Sequence, residues 1–218
     1  MTLKHVVSTI MVAAVLVGVA VRANAIDYSF TGNLVQDNTV QLFNFTVGAL
    51  SPDVILRTWS YAGGVNAAGQ AIARGGFDPI LAVFNSSGTF IGQNDDGGAL
   101  VAADAVTGAH YDTYLDLGSM VAGTYAVSVM QYDNFANGPA LANGFRHDSP
   151  ADAWFTLPLT GHTTGGFWDV TGNMRDSHWA FDILGVQGAS QVPDGGSSMA
   201  LLGFALSGLA LVYNRIRK

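Results

Sequence analysis

The sequence predicts an all-β fold, an antiparallel β-sandwich of jelly-roll type. Three observations point there. Apolar and polar residues alternate at period two in several short runs, and clusters of Gly, Asn, Asp and Ser separate those runs. The acidic side chains are all Asp, with no Glu, in a chain of 218 residues that holds 27 glycines, a composition poor in helix formers.

The runs follow in chain order. In VQLFNFTV, Phe43, Phe45 and Val47 share one face. Shorter strands are predicted over 53–61, 79–84, 89–93, 113–117 and 153–157, bounded by clusters such as Ala62-Gly63-Gly64 and Asn94-Asp95-Asp96-Gly97-Gly98. In GTYAVSVMQ, Tyr125, Val127 and Val129 align, and in WAFDILGV, Trp179, Phe181 and Ile183 do. About eight strands in roughly 165 residues suit one sandwich domain over 26–191.

The two ends have a different composition. The first 25 residues carry Lys4, an uncharged apolar stretch over 6–21, and Ala23-Asn24-Ala25, the small-x-small pattern cut by signal peptidase. The predicted cut follows Ala25. At the other end, 195–214 hold no charge and would span ~30 Å as a helix, so a transmembrane helix is expected over 197–214. Arg215, Arg217 and Lys218 close the chain as a basic end, which places the preceding domain outside. A membrane-anchored precursor is therefore expected before the protein reaches the cell surface or extracellular space.

Charge and cysteine content exclude several functions. Between 26 and 191 stand fifteen aspartates against Arg57, Arg74, Arg146 and Arg175, about −11, with no lysine. Such a surface repels nucleic acid, so no nucleic-acid partner is expected. The chain has no cysteine, which removes disulfides, thiol nucleophiles and Cys-ligated zinc. His110, His147, His162 and His178 are scattered without an H-E-x-x-H pair, and neither a G-x-S-x-G elbow nor a phosphate loop occurs. The expectation is a protein that is not an enzyme and has no catalytic residues; a secreted hydrolase ranks a distant third.

Val192-Pro193-Asp194-Gly195-Gly196, the apolar run and the basic end together resemble the PEP-CTERM class of sorting signals, in its VPDSG-like variant. Gly195 stands where that variant has Ser, and the Pro-Glu-Pro core is missing. The resemblance covers 192–218. It implies export from a Gram-negative bacterium and recognition by an exosortase, a membrane-embedded cysteine protease-transpeptidase, with Val192, Pro193, Asp194 and Gly195 as the processing residues. Within the domain, F-D-P, an apolar strand, S-G and N-D-D-G over 75–98 resemble the hairpin of bacterial pre-peptidase C-terminal type β-sandwich domains. Together with LGSMVAGTYAVSVMQYDNFANG and WAFDILGV, they are similar to an uncharacterised family of exported PEP-CTERM proteins, over roughly residues 30 to 186. That family brings no established activity.

The same hairpin concentrates oxygen ligands. If it pairs, Asp78 at the start of one strand lies near Asn94, Asp95 and Asp96 at the end of the next, and carboxylates and amides are the ligands of calcium. The competing reading is a solvated turn, because Asx-Gly clusters bond their own backbone. Asp112, Asp116, Asp133 and Asn134 are lesser candidates. Trp154, Trp168 and Trp179, with Tyr132, Phe135 and Phe145, crowd the last third of the chain beside Gly-Asn loops. Rings beside amides suit sugars, whereas most such rings fill cores. The function expected is a non-enzymatic surface or matrix protein associated with exopolysaccharide or biofilm; the alternative is a carbohydrate-binding module, calcium-dependent if the corner binds an ion.

Overall fold

The computed structural model of the chain describes residues 25–49, 51, 53–157, 161 and 165–193. Thirteen strands occur among them: β1 (Ile26–Asn33), β2 (Gln41–Val47), β3 (Ile55–Thr58), β4 (Gly64–Val65), β5 (Ala71–Ile72), β6 (Pro79–Asn85), β7 (Phe90–Asn94), β8 (Tyr114–Asp116), β9 (Gly123–Gln131), β10 (Phe167–Trp168), β11 (Met174–Arg175), β12 (His178–Val186) and β13 (Gly188–Gln191). They form a four-stranded sheet ordered β1-β12-β3-β8, a five-stranded sheet ordered β13-β2-β9-β6-β7, and the ribbons β4-β5 and β10-β11. The ladders are antiparallel; a single parallel bridge joins Gly76 to Asp176.

Alternation decides which side chains meet. Phe43 and Phe45 from β2, Leu81 and Val83 from β6, and Val127 and Val129 from β9 enter one apolar cluster with Leu56 of β3 and Trp179, Phe181 and Ile183 of β12. The two sheets thus share a core, and each large side chain sealed there contributes about 1.5–3 kcal/mol. Strand β6 is buried on both faces, because Ile80, Ala82 and Phe84 build a second cluster with Met130 and Phe145. Beyond β12, the chain crosses to the other sheet through Gln187 alone, whose amide donates to the Thr46 carbonyl at 2.8 Å. Gly185, with φ of 77°, supplies a left-handed conformation just before the crossing.

The jelly-roll sandwich requires correction. The fold is mostly antiparallel sheet, but the strand order gives two unequal sheets with two accessory ribbons, not a closed barrel or sandwich topology. Alternation specifies the apolar face of a strand and is silent on its neighbour, so sheet order was beyond its reach. The membrane expectation is corrected too. Among the described residues no helix is long and apolar enough to cross a membrane. The described residues therefore supply no membrane-spanning helix to make the membrane a partner or to anchor a precursor; the expected helix over 197–214 lies outside the described residues. Finally, 153–157 is not a strand: Asp37 accepts from the amides of Phe155 and Thr156 at 3.1 and 3.0 Å and from the Thr156 hydroxyl at 2.6 Å, holding turn and helical backbone there.

Candidate functional site

The hairpin of β6 and β7 delivers the acidic residues to one corner. Leu81 pairs with Asn94, so the chain beyond Asn94 runs alongside Pro79 and Asp78. Asp78 is fixed from the other side, where the Tyr132 amide donates to its carbonyl at 2.8 Å. The Thr113 hydroxyl lies 2.5 Å from the Pro79 carbonyl and 2.8 Å from the Asp95 carbonyl, tying the segment that leads into β8 to both arms. Gly97 closes the corner against β8, its amide donating to the Asp112 carbonyl at 2.8 Å; a Cβ there would crowd that carbonyl and Val101.

Asp78 is only 2% exposed, and its Oδ1 has no hydrogen-bond partner. Burial pushes its carboxyl well above the usual range, and the charges of Asp96, Asp95, Asp169 and Asp112 push the same way. Asp96 stands at the rim, its carboxyl raised to about 6 by burial and by Asp95. Burial also raises the phenols of Tyr111 and Tyr132, with further contributions from the surrounding carboxylates. Burial and mutual repulsion at this corner therefore favour the protonated acids.

Of the four residues singled out in the sequence, Asp78, Asp95 and Asp96 lie at the same corner without converging as a metal-holding group. Asp78, Asp95 and Asp96 act on one another, whereas Asn94 turns away: its Nδ2 donates to the Tyr114 carbonyl at 3.1 Å and its Oδ1 accepts from the Asp96 amide at 2.9 Å. Asp95 Oδ1 accepts from that same amide at 2.9 Å, a local turn bond. Among the described residues, no three carboxylate or imidazole groups stand close enough together to hold a metal ion as they are.

The lesser candidates have structural partners. Asp112 is buried and accepts from the Tyr61 and Ala62 amides at 3.0 and 2.8 Å and from the Thr58 hydroxyl at 3.0 Å. Asp116 caps a turn through the Gly118 amide at 2.8 Å. Asp133 pairs with Arg146, and buried Asn134 donates to the Asn38 carbonyl at 3.1 Å. The described histidines are similarly engaged. His110 Nδ1 meets the Val101 carbonyl at 2.9 Å, His147 stacks on Phe155 with centroids 3.9 Å apart, and His178 contacts Asp176 and, at 3.1 Å, the Ala73 carbonyl. His162 lies outside the described residues.

Most of the aromatic side chains enter packing. Trp179 is core, its ring edge-on to Phe43 at 5.5 Å; Phe145 is buried; Trp154 is half-buried and meets Phe167 edge-on at 6.2 Å. Sequence reasoning missed four buried carboxylates that organise loops: Asp37, Asp104, Asp169 and Asp182. Asp182, for example, accepts from the Trp59 indole at 2.7 Å, the Ser29 hydroxyl at 2.6 Å and the Ala67 amide at 2.9 Å. Only Asp169 had a local signal, the D-V-T-G-N turn in which its Oδ1 accepts from the Thr171 and Asn173 amides.

At the end of the described chain, β13 pairs with β2, and the Val192 amide donates to the Leu42 carbonyl at 2.8 Å. Gln41 Nε2 donates to the Val192 carbonyl at 3.0 Å, and Pro193 beyond it is exposed. Residues 191–216 match the family described as the VPDSG-CTERM motif. The chain carries a VPDSG-CTERM sorting motif. It is an exported protein whose sorting signal links it to an exosortase-like system. No curated protein matches it significantly. The motif thus begins on the last position of the sheet.

Proposed function

We propose that this is a non-enzymatic protein of the cell surface or extracellular matrix, released by an exosortase-type enzyme that reads Val192, Pro193, Asp194 and Gly195, and associated there with exopolysaccharide. The observation that carries the reading is the junction: β13 ends at Gln191, the residue at which the sorting motif, 191–216, begins. Processing in the motif delivers the β domain whole. The acidic, lysine-free domain suits an extracellular polymer bridged by divalent ions.

Fractionation of the native host tests this. The domain is expected in the surface and matrix fractions, co-extracting with polysaccharide, and is expected to be retained in cells that lack the exosortase. Equal release in both strains overturns the sorting step, and matrix fractions free of the protein overturn the association.

A second reading, a carbohydrate-binding module, is favoured by a groove of about 540 Å³ on the outer face of the five-stranded sheet. Asn44, Asn85, Ser87 and Thr124 offer polar atoms there, and Leu141 an apolar wall. A glycan array separates the readings: sugar binding that is lost in Asn44→Ala supports the module, and a silent array leaves the scaffold.

A further inference from the structure

We infer that Gln41 is a positioning residue for processing: its side chain holds Val192 in the sheet, so the chain is cut beyond the Val192–Pro193 bond and the released domain keeps Val192, which rests on reading 191–216 as a segment cleaved by an exosortase-type enzyme. Gln41, the first residue of β2, is only 6% exposed, and both polar atoms of its side chain are bonded. Its Nε2 donates to the Leu42 and Val192 carbonyls, each at 3.0 Å, and its Oε1 accepts from Gln191 Nε2 at 2.8 Å. A buried amide is costly to leave unpartnered. Apart from the adjacent Leu42, the partners of this one are the two residues on which the sorting motif begins.

Val192 is thereby held at both of its backbone polar groups. Its amide donates to the Leu42 carbonyl at 2.8 Å, its carbonyl accepts from Gln41, and Gly188, Ala189, Ser190 and Gln191 pair with β2 ahead of it. Strand β13 is a four-residue strand at the edge of its sheet, the kind of element that frays from its end. The side-chain clamp fixes that end. Pro193 is exposed and has no amide hydrogen to extend the ladder, so the hold on the backbone stops at the Val192 carbonyl.

Cleavage makes demands that such a backbone does not meet. The enzyme's nucleophile adds to the scissile carbonyl carbon, negative charge develops on the carbonyl oxygen and is met by donors of the enzyme, and the following amine leaves with a proton; water or an acceptor amine then takes the acyl group. A peptide recognised in extended form also bonds its main chain to the enzyme and not to its own sheet. The Val192 carbonyl oxygen is already bonded to a buried side chain of the domain, and the Val192 amide to Leu42. The Val192–Pro193 bond is therefore closed to the enzyme while the sheet is intact, and the first carbonyl past the ladder is that of Pro193.

The full chain tests this in two settings. In the native host, mass spectrometry of released protein is expected to find a C-terminus at Pro193 or later. A mature end at Gln191 or Val192 overturns the inference and leaves the processing reading standing, whereas wild-type chain that is never cut overturns both. Separately, full chain purified from cells lacking the exosortase is digested with proteinase K, which needs no motif, and trimming from the C-terminal end is expected to stop short of Val192. Gln41→Met keeps the bulk of the side chain and removes its polar atoms. It is expected to lose Val192 roughly tenfold faster, the added opening that follows from one lost buried hydrogen bond. Cleavage in the loop around exposed Val106 is expected to be unchanged. Rapid wild-type trimming through Val192, or loss of Val192 from the variant no faster than from wild type, overturns the inference; so does equal acceleration at both places, which would mark Gln41 as a residue of general stability. Should Gln41→Met fail to fold, the two wild-type end points decide.

Discussion

The amide of Val192 donates to the carbonyl of Leu42 at 2.8 Å, which makes the first residue of the V-P-D sorting sequence the last hydrogen-bonded position of a β-sheet. Gln191 strengthens the junction through its own side chain, whose Nε2 donates to Gln41 Oε1 at 2.8 Å. Pro193 then ends the ladder, since it has no amide hydrogen to give. The folded domain and the processing segment are contiguous and meet at Gln191 and Val192.

Replacing Pro193 and Asp194 by alanine therefore separates sorting from stability. The variant is expected to melt within about 0.5 kcal/mol of the wild type, because Pro193 is exposed and past the sheet. It is expected to accumulate with its C-terminal peptide intact, seen by mass spectrometry of whole cells. Normal trimming of this variant would mean that the motif is not what the processing enzyme reads.

At the opposite end, β1 starts at Ile26, the residue that follows the predicted signal-peptidase cut. Ala25 is exposed and Ile26 is 52% exposed, so the bond between them lies clear of the core. Mature protein is expected to begin at Ile26, and Ala25→Arg to retain the leader because a large cation does not fit the small-residue position. An N-terminus at Met1 in secreted wild-type protein would refute this.

Gly32 and Trp179 face one another across β1 and β12, and a Cβ at position 32 would overlap the indole. Gly32→Ala is expected to cost about 1–3 kcal/mol through overpacking. Trp179→Ala is expected to cost about 3–5 kcal/mol, since the ring is 2% exposed in the main core. In a Trp179→Phe background, where the ring is smaller, the Gly32→Ala penalty is expected to shrink. Purely additive denaturant midpoints across that cycle would show that the two positions do not compete for space.

Much of this architecture was readable from alternation. The faces of β2, β9 and β12 follow Phe43/Phe45, Val127/Val129 and Trp179/Phe181/Ile183, and the β6–β7 hairpin brings Asp78 to Asp96 as its spacing implied. The sheet order was not readable, because Gly32 and Trp179 are neighbours only through pairing of the chain's first strand with one of its last. Strand β13 was missed because Gly188-Ala189-Ser190-Gln191 has no apolar alternation; its pairing is set by β2 and by the glycine-assisted crossing before it. Asp182 was invisible for another reason. It sits on the polar side of an alternating strand and is buried by a loop, around Ala67, that comes from far away in sequence.

Asp104 supports the most direct test of pH dependence. It is 1% exposed and accepts from Arg74 Nε and Nη2 at 2.6 and 2.8 Å, from the Thr107 amide and hydroxyl at 2.8 and 3.0 Å, and from the Val106 amide at 3.2 Å. Burial alone would raise its carboxyl, but these donors, Arg74 foremost, hold it well below the usual range. A depressed acid stabilises the fold fully above its unfolded value, about 4, and loses that contribution as pH falls toward the folded value. Asp37, Asp78, Asp96 and Asp112 are shifted the other way, chiefly by burial, so what they contribute is present in acid and lost as pH rises, for Asp96 through about 6. Asp104→Asn is expected to cost about 2–4 kcal/mol at neutral pH, by leaving Arg74 and the Thr107 amide with a neutral acceptor. The gap between wild type and variant should then narrow steadily below about pH 4 as the wild-type carboxylate takes up its proton. Urea melts of both proteins from neutral pH down to the acid limit measure this, and a gap that stays constant across that range would show that Asp104 acts through its shape and not through its charge.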